Sequence, residues 1–88
     1  MGVPGADKWY RLAADQGFAS AQANLGRMYR RCEGPPQDFV HAHMWFNLSA
    51  AQGTQGIANE RDSIAASMTP AQIAEAQKLA REWQSKRP

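Results

Sequence analysis

A nine-residue segment near the start of the chain recurs 36 residues later, from Trp9 to Trp45. The first copy reads Trp-Tyr-Arg-Leu-Ala-Ala-Asp-Gln-Gly over residues 9–17, and the second reads Trp-Phe-Asn-Leu-Ser-Ala-Ala-Gln-Gly over residues 45–53. Five positions are identical, and Tyr10 corresponds to the aromatic Phe46. Self-similarity at a fixed spacing of about 20–50 residues is typical of proteins whose helical units stack and share one core. The spacing therefore predicts a short array of stacked helical hairpins.

Apolar residues at helical spacing predict an all-α fold of about five helices. Gly17 and Gly53 are predicted to end the first and third helices at positive φ. Asp38 is the predicted N-cap of the third helix, and residues 69–72, Thr-Pro-Ala-Gln, predict a capping box before the fifth. Gly26 inside the second helix indicates a close approach by a neighbouring helix, because glycine otherwise weakens a helix. The predicted helices are 6–16, 19–31, 39–52, about 55–67 and 70–85.

The 88 residues are expected to form one domain. We divide it into a first repeat (6–37), a second repeat (38–68) and a capping helix (69–85) whose polar outer face suits the end of an array. Antiparallel helix pairs of this kind are expected to form a short right-handed superhelix. Tryptophan and methionine positions at helical spacing are predicted to be core.

The composition gives little indication of a charged or membrane partner. Ten basic and eight acidic residues leave a net charge of +2, which is too balanced to indicate nucleic-acid binding. No apolar run approaches the length of a membrane span, and residues 1–5 lack the features of a signal peptide. We therefore expect no nucleic-acid or membrane partner, no cofactor, and a cytoplasmic location, or a periplasmic one if an N-terminal segment was removed.

The residues that could carry chemistry form no recognisable catalytic or metal-binding pattern. His41 and His43 lie two apart on a predicted helix and point roughly 200° apart, so they cannot share a metal. Cys32 is the single cysteine, which excludes an intrachain disulfide. We interpret Cys32 as an ordinary free thiol, because a nucleophile needs a base and an orienting group. The alternative is a small thiol-dependent enzyme or a redox-responsive protein that uses Cys32.

Three arginines, Arg27, Arg30 and Arg31, lie near the end of the second helix. Cations at this end are stabilised by the helix dipole, which is the interpretation we prefer. The alternative is a site for an acidic partner or nucleic acid.

The spaced residues resemble those of the Sel-one-like repeat family, α/α solenoid relatives of the tetratricopeptide repeats. Residues 68–76 are similar to the closing helix of bacterial members. The resemblance implies a non-enzymatic protein–protein interaction module or adaptor scaffold of bacterial type. The matching positions are Ala6, Trp9, Tyr10, Ala13, Ala14, Gly17, Ala21, Gln22, Leu25, Gly26, Tyr29, Gly34, Asp38, Ala42, Trp45, Phe46, Ala50, Ala51 and Gly53.

The chain departs from the family pattern in three ways. Cys32 stands where the family usually has a glycine, which predicts backbone strain of roughly 1–2 kcal/mol or a shifted loop. The first helix is about four residues short, and two repeats are fewer than the roughly three that such arrays generally need. The first helix therefore has no preceding repeat to cover Trp9, Tyr10 and Leu12, and we predict self-association through these residues.

The family likeness also suggests where a partner would bind. In solenoids of helix pairs the first helix of each pair usually lines the concave side. The 36-residue offset places Tyr10 with Phe46 and Arg11 with Asn47. We predict that Tyr10, Arg11, His43 and Asn47 contact a protein or peptide partner. The alternative is that these residues serve helix packing or face solvent.

Overall fold

The computed structural model describes the backbone of residues 6–31 and 38–86, with side chains from Lys8 onwards. Within those ranges the chain is all-helical and contains no strand, so the predicted all-α fold is confirmed. The division into two repeats and a capping helix, and the right-handed superhelix, stay predictions. Cys32 lies outside the described residues. The helices are α1 (Ala6–Asp15), α2 (Ala19–Arg31), α3 (Phe39–Ala51), α4 (Ile57–Ala65) and α5 (Pro70–Ser85).

Two helices begin at the caps that the sequence predicts. The Asp38 carboxylate accepts a hydrogen bond of 3.0 Å from the backbone N–H of His41, which caps α3. At the start of α5 the Thr69 hydroxyl accepts from the backbone N–H of Gln72 at 3.1 Å. The Gln72 side chain in turn accepts from the backbone N–H of Thr69 at 2.9 Å. These reciprocal bonds form the capping box, so both starts are set by local sequence.

Glycines in the left-handed region mark the turns of the two hairpins. Gly17 (φ 95°) and Gly53 (φ 86°) follow α1 and α3, as predicted. Gly56 (φ 80°) precedes α4 and delays its start relative to the predicted helix of 55–67. At the other end the Ser67 N–H bonds to the Ile64 carbonyl at 2.9 Å, a three-residue bond that tightens the last turn. Together these turns make α4 shorter than predicted.

Helix α3 lies at the centre of the fold, because α2, α4 and α5 all pack against it. Its apolar residues are spread around the helix rather than confined to one side, as expected for a helix covered on several sides. It contributes to two core clusters. The first core contains Ala14, Ala21, Leu25, Met44, Trp45, Leu48 and Ala80. The second core contains Ala23, Ala42, Phe46, Ile57, Ile64, Met68 and Ala76.

The close approach predicted at Gly26 is between α2 and α3. A Cβ atom added at Gly26 would lie 2.7 Å from two carbons of the Phe46 ring. Side chains do not tolerate that distance without movement, so the missing Cβ leaves the space that the ring occupies. The predicted approach is confirmed.

Buried polar side chains join the first three helices. The Gln22 side chain is fully buried, and its Nε2 donates to the backbone carbonyl of Ala14 on α1 at 3.2 Å. Its Oε1 accepts from the Gln52 side chain at 2.9 Å. The buried Ser49 hydroxyl donates to the Ala19 carbonyl at 2.8 Å. These bonds satisfy groups that would be costly to bury alone.

Trp9 corrects the prediction that the tryptophan positions are core. Its side chain is 76% exposed, and Leu12 on the same side of α1 is 56% exposed. An adjacent side of α1 packs against the first core through Tyr10, Ala13 and Ala14. Helix α1 packs mainly against α2, and no other described helix covers its other side. Helical spacing alone therefore misplaces Trp9, whereas the exposure of Trp9 and Leu12 agrees with the expectation that no preceding repeat covers them.

Candidate functional site

The exposed apolar side of α1 is the main candidate surface. Trp9 and Leu12 lie three residues apart on a helix and therefore share a side, which we call the α1 face. Phe18, in the turn before α2, is also 59% exposed. Sequence reasoning missed Phe18, although the 36-residue offset aligns it with the polar Thr54 and could have marked it. Large exposed apolar side chains of this kind are typical of contact surfaces when they are grouped.

The equivalent residues of the second copy are buried. Trp45 is 1% exposed and Leu48 is 3% exposed. The Trp45 ring meets the Trp83 ring of α5 edge to face, with 5.9 Å between ring centroids. The Arg11 guanidinium lies over the Trp45 ring, 5.9 Å from its centroid. The same sequence motif is thus covered by aromatic and cationic groups in one copy and left open in the other.

The four residues predicted to contact a partner fall into two groups. Tyr10 is half-buried against the first core, and Arg11 lies beside it in sequence, over the Trp45 ring. Arg11 also forms an exposed ion pair with Asp15 at 3.6 Å. Asn47 lies on the side of α3 that meets α4, two residues from Trp45 and so roughly 200° around the helix. Tyr10 and Arg11 of α1 therefore lie near the Trp45 side of α3, whereas Asn47 lies on the side that meets α4.

The second group, His43 and Asn47, belongs to the interface between α3 and α4. The Asn47 side-chain oxygen accepts a 2.9 Å hydrogen bond from Arg61 of α4. His43 lies one turn before Asn47 and is 4% exposed, and its Nδ1 has no hydrogen-bond partner in the described part of the chain. Burial, followed by the nearby Arg61 charge, lowers the pKa of His43, while Asp62 opposes this shift. His43 is therefore a neutral, buried side chain at pH 7.

A cluster of charged side chains joins α2 to α4. Arg27 makes a two-point contact with the Glu60 carboxylate, at 3.0 Å from Nε and 2.6 Å from Nη2. Arg30 lies 3.8 Å from the same carboxylate. The hydrogen bond from Arg27 lowers the pKa of Glu60 and raises that of Arg27, so both stay charged at neutral pH. Two of the three clustered arginines thus hold the helices together, and Arg31 is exposed.

His41 is placed apart from His43. Its Nδ1 lies 2.6 Å from the Asp38 carboxylate, and its ring stacks on Tyr29 with 5.4 Å between centroids. Among side chains 8–31 and 38–86, no three histidine, cysteine, aspartate or glutamate residues form a group that could hold a metal ion. Over the same ranges no helix has the length and apolar character to cross a bilayer.

Comparison with known proteins gives one family. A family model described as the Sel1 repeat matches residues 8–18 and 19–54, which together are more than half of the chain. The first match covers α1 and its glycine turn, and the second extends from α2 through α3 to the turn at Gly53. A search of curated protein sequences finds no match. The matched ranges include both copies of the nine-residue segment.

Proposed function

The chain belongs to the Sel1 repeat family, whose repeats are generally protein–protein interaction modules, and we propose that it is a non-enzymatic adaptor that self-associates through the α1 face. Tyr10 packs on the first core and Arg11 lies over the Trp45 ring, so both lie beside the α1 face, and their contact with a partner stays a prediction. The groove predicted to extend to His43 and Asn47 stays a prediction.

The observation that carries the proposal is the exposure of Trp9 and Leu12, whose equivalents Trp45 and Leu48 are buried. Burying a large apolar side chain is worth on the order of 1.5–3 kcal/mol. The chain therefore has an unused driving force for association on α1. Its pattern fits a helix face that contacts a second helix, because Trp9 and Leu12 are spaced by one turn.

A second copy of the chain is the occupant that the described features favour. A two-fold axis beside α1 brings the same apolar side chains from both copies together, which makes the surface self-complementary. The net charge of +2 gives little repulsion between copies. Two or three exposed side chains cover less than the roughly 800 Å² per partner of a standard interface, so we expect weak association, in the micromolar range.

The test is the mass in solution as a function of concentration. We expect light scattering to give a value near 9.7 kDa when dilute and a rise toward the dimer between about 1 and 100 μM. The Trp9→Glu/Leu12→Glu variant places two desolvated charges in the contact and is expected to stay monomeric. A reductant is present throughout, so that disulfide dimers through Cys32 do not contribute.

The matched control places the same two charges elsewhere. Ala74 and Gln77 are exposed on α5, and the Ala74→Glu/Gln77→Glu variant is expected to associate like the wild type. A monomeric mass for the wild type across this range removes self-association from the proposal. Equal loss of association in both double variants shows that net charge, rather than the α1 face, controls it.

A further inference from the structure

His43 brings an unsatisfied polar atom into the interface between α3 and α4. The side chain is 4% exposed, and its Nδ1 lacks a hydrogen-bond partner within the described ranges. One turn later, Asn47 binds Arg61 of α4, so this side of α3 is the side that α4 covers. A buried polar atom without a partner destabilises the fold, and an apolar side chain would avoid that cost. Burial in this interface therefore disfavours protonation of His43.

The connection from α3 to α4 is a short turn with two glycines. Gly53 (φ 86°) and Gly56 (φ 80°) both adopt the left-handed region, within a short turn between the two helices. A Cβ atom at either glycine would find no other heavy atom within 4 Å, so the turn is open on its outer side. Helix α4 has nine residues, which is too short to be stable without its neighbours. Its position therefore depends on contacts with α3 and on the Glu60 ion pairs to α2.

We propose that His43 makes the α3–α4 hairpin an acid-sensitive latch, in which uptake of a proton by the imidazole releases α4 from α3. A protonated imidazole donates from both ring nitrogens. Its Nδ1–H would then be a buried donor on a cation, with no acceptor in place. Release of α4 exposes the ring to water and removes that cost. The second core would lose Ile57 and Ile64, whereas the first core contains no residue of α4 and still joins α1, α2, α3 and α5.

The charged groups that act on His43 are both on α4. Arg61 repels the protonated ring, and Asp62 attracts it. The Asp62 side chain is mostly exposed and forms an ion pair with Arg61 at 3.1 Å. Solvent and Arg61 therefore both weaken the attraction of Asp62 for the protonated ring. Helices α2 and α5 also pack on α3, and none of their described charged side chains is among the groups that shift His43. Movement of α4 therefore relieves burial and repulsion together.

The direction of the pH effect follows from linkage. In the released state His43 is exposed and takes up its proton near its ordinary pKa of 6.5, whereas burial lowers the pKa in the closed state. The released state binds the proton first as the pH falls. The stability of the closed state relative to the released state is therefore greatest above about pH 6.5. It decreases as the pH falls toward the lowered pKa. The pKa of Glu60 is lowered below its ordinary 4.5, so Glu60 stays charged in this window and its own titration does not produce the acid effect.

Release of α4 would uncover an apolar surface that is closed at neutral pH. Ile57 and Ile64 on α4 and Phe46 on α3 are buried in the second core. Acid would thus present a second contact surface, distinct from the α1 face. This consequence does not depend on self-association.

Amide hydrogen exchange measured by NMR tests the latch. Exchange of α4 amides at about pH 7.5 and about pH 5, corrected for intrinsic rates, gives the opening constant of α4. We expect the constant to rise with acid by up to roughly 30-fold, the limit for a pKa of 6.5 in the released state. Exchange in α2 and α5 is expected to change little.

Two variants separate His43 from other titrating groups. His43→Phe keeps an aromatic ring without a proton site and is expected to abolish the acid effect on α4. His41→Gln is the matched control, since His41 is half-exposed and paired with Asp38, and the acid effect is expected to remain. An unchanged α4 opening constant in the wild type overturns the latch. Persistence of the acid effect in His43→Phe also overturns it. Loss of the acid effect in His41→Gln overturns it as well.

A measurement on the wild type keeps the proposal testable where His43→Phe does not fold. The ring signals of His43 are expected to titrate below the ordinary imidazole pKa of 6.5, and α4 amide shifts are expected to follow the His43 midpoint. A His43 midpoint at or above about 6.5 overturns the latch. Equal loss of protection in every helix also overturns it, because acid would then unfold the whole chain.

Discussion

Helices α1 and α3 carry the same nine-residue motif in opposite surroundings. Trp45 contacts the Trp83 ring and the Arg11 guanidinium, whereas Trp9 is mostly exposed. The difference comes from the neighbours: α2, α4 and α5 pack on α3, and mainly α2 packs on α1. In a repeat protein the motif gives each helix its apolar positions, and the next element decides which of them become core.

The largest expected effect on the free energy of unfolding is the difference between substitutions of the two tryptophans. Trp45→Ala removes a fully buried ring and is expected to lower the free energy of unfolding by about 3–5 kcal/mol. Trp9→Ala removes an exposed ring and is expected to change it by less than about 0.5 kcal/mol. Chemical denaturation in dilute solution, where association does not contribute, measures both. Similar losses in the two variants would mean that α1 and α3 are equally covered.

A smaller effect is expected at the contact that packs α2 onto α3. Gly26→Ala adds a Cβ atom 2.7 Å from the Phe46 ring and is expected to destabilise the fold by about 1–3 kcal/mol, although alanine favours helix. Tyr10, the counterpart of Phe46 in α1, is only half-buried. Ser20→Ala, an exposed change on the same helix, is the control and is expected to stay within about 0.5 kcal/mol. A Gly26→Ala variant as stable as the wild type would show that the ring can move aside.

The smallest effect is expected at the ion pairs between α2 and α4. Glu60→Gln removes the carboxylate bound by Arg27 and Arg30, and we expect a loss of about 1 kcal/mol or less at pH 7, because the group is partly exposed. The lowered pKa of Glu60 means that its stabilisation is present above about pH 4.5 and is lost as the pH falls below that value. Thermal unfolding should therefore show the wild type and variant converging in acid. A constant difference at all pH values contradicts this.

Features that depend on a few adjacent residues were predictable from the sequence. The Asp38 cap, the Thr69–Gln72 capping box and the left-handed glycines need only local backbone geometry, and all appear as predicted. Gly26 could also be interpreted correctly, because a glycine inside a helix is costly unless a neighbour needs the space. The family followed from the same spaced positions.

Features that depend on how the helices are arranged were not predictable from helical spacing. Trp9 and Trp45 have the same local sequence signal, and helical spacing predicts both as core. The number of repeats predicts that Trp9 lacks a cover, but the contacts of Trp45 with α5 and Arg11 appear only in the structure. The sequence offset groups His43 and Asn47 with Arg11, whereas in the structure the Asn47 side-chain oxygen accepts a hydrogen bond from Arg61 of α4. The offset that aligns two helices in sequence does not fix which side of each one is covered.

The hydrogen bond from Gln22 to the Ala14 carbonyl has a consequence for partner affinity. It ties α1 to α2 from the side that lies away from Trp9 and Leu12. A partner on α1 would bind to a helix whose orientation is maintained by a buried amide that it never contacts. Loss of that amide would leave the contact surface chemically intact, yet association would weaken because α1 would first have to be ordered.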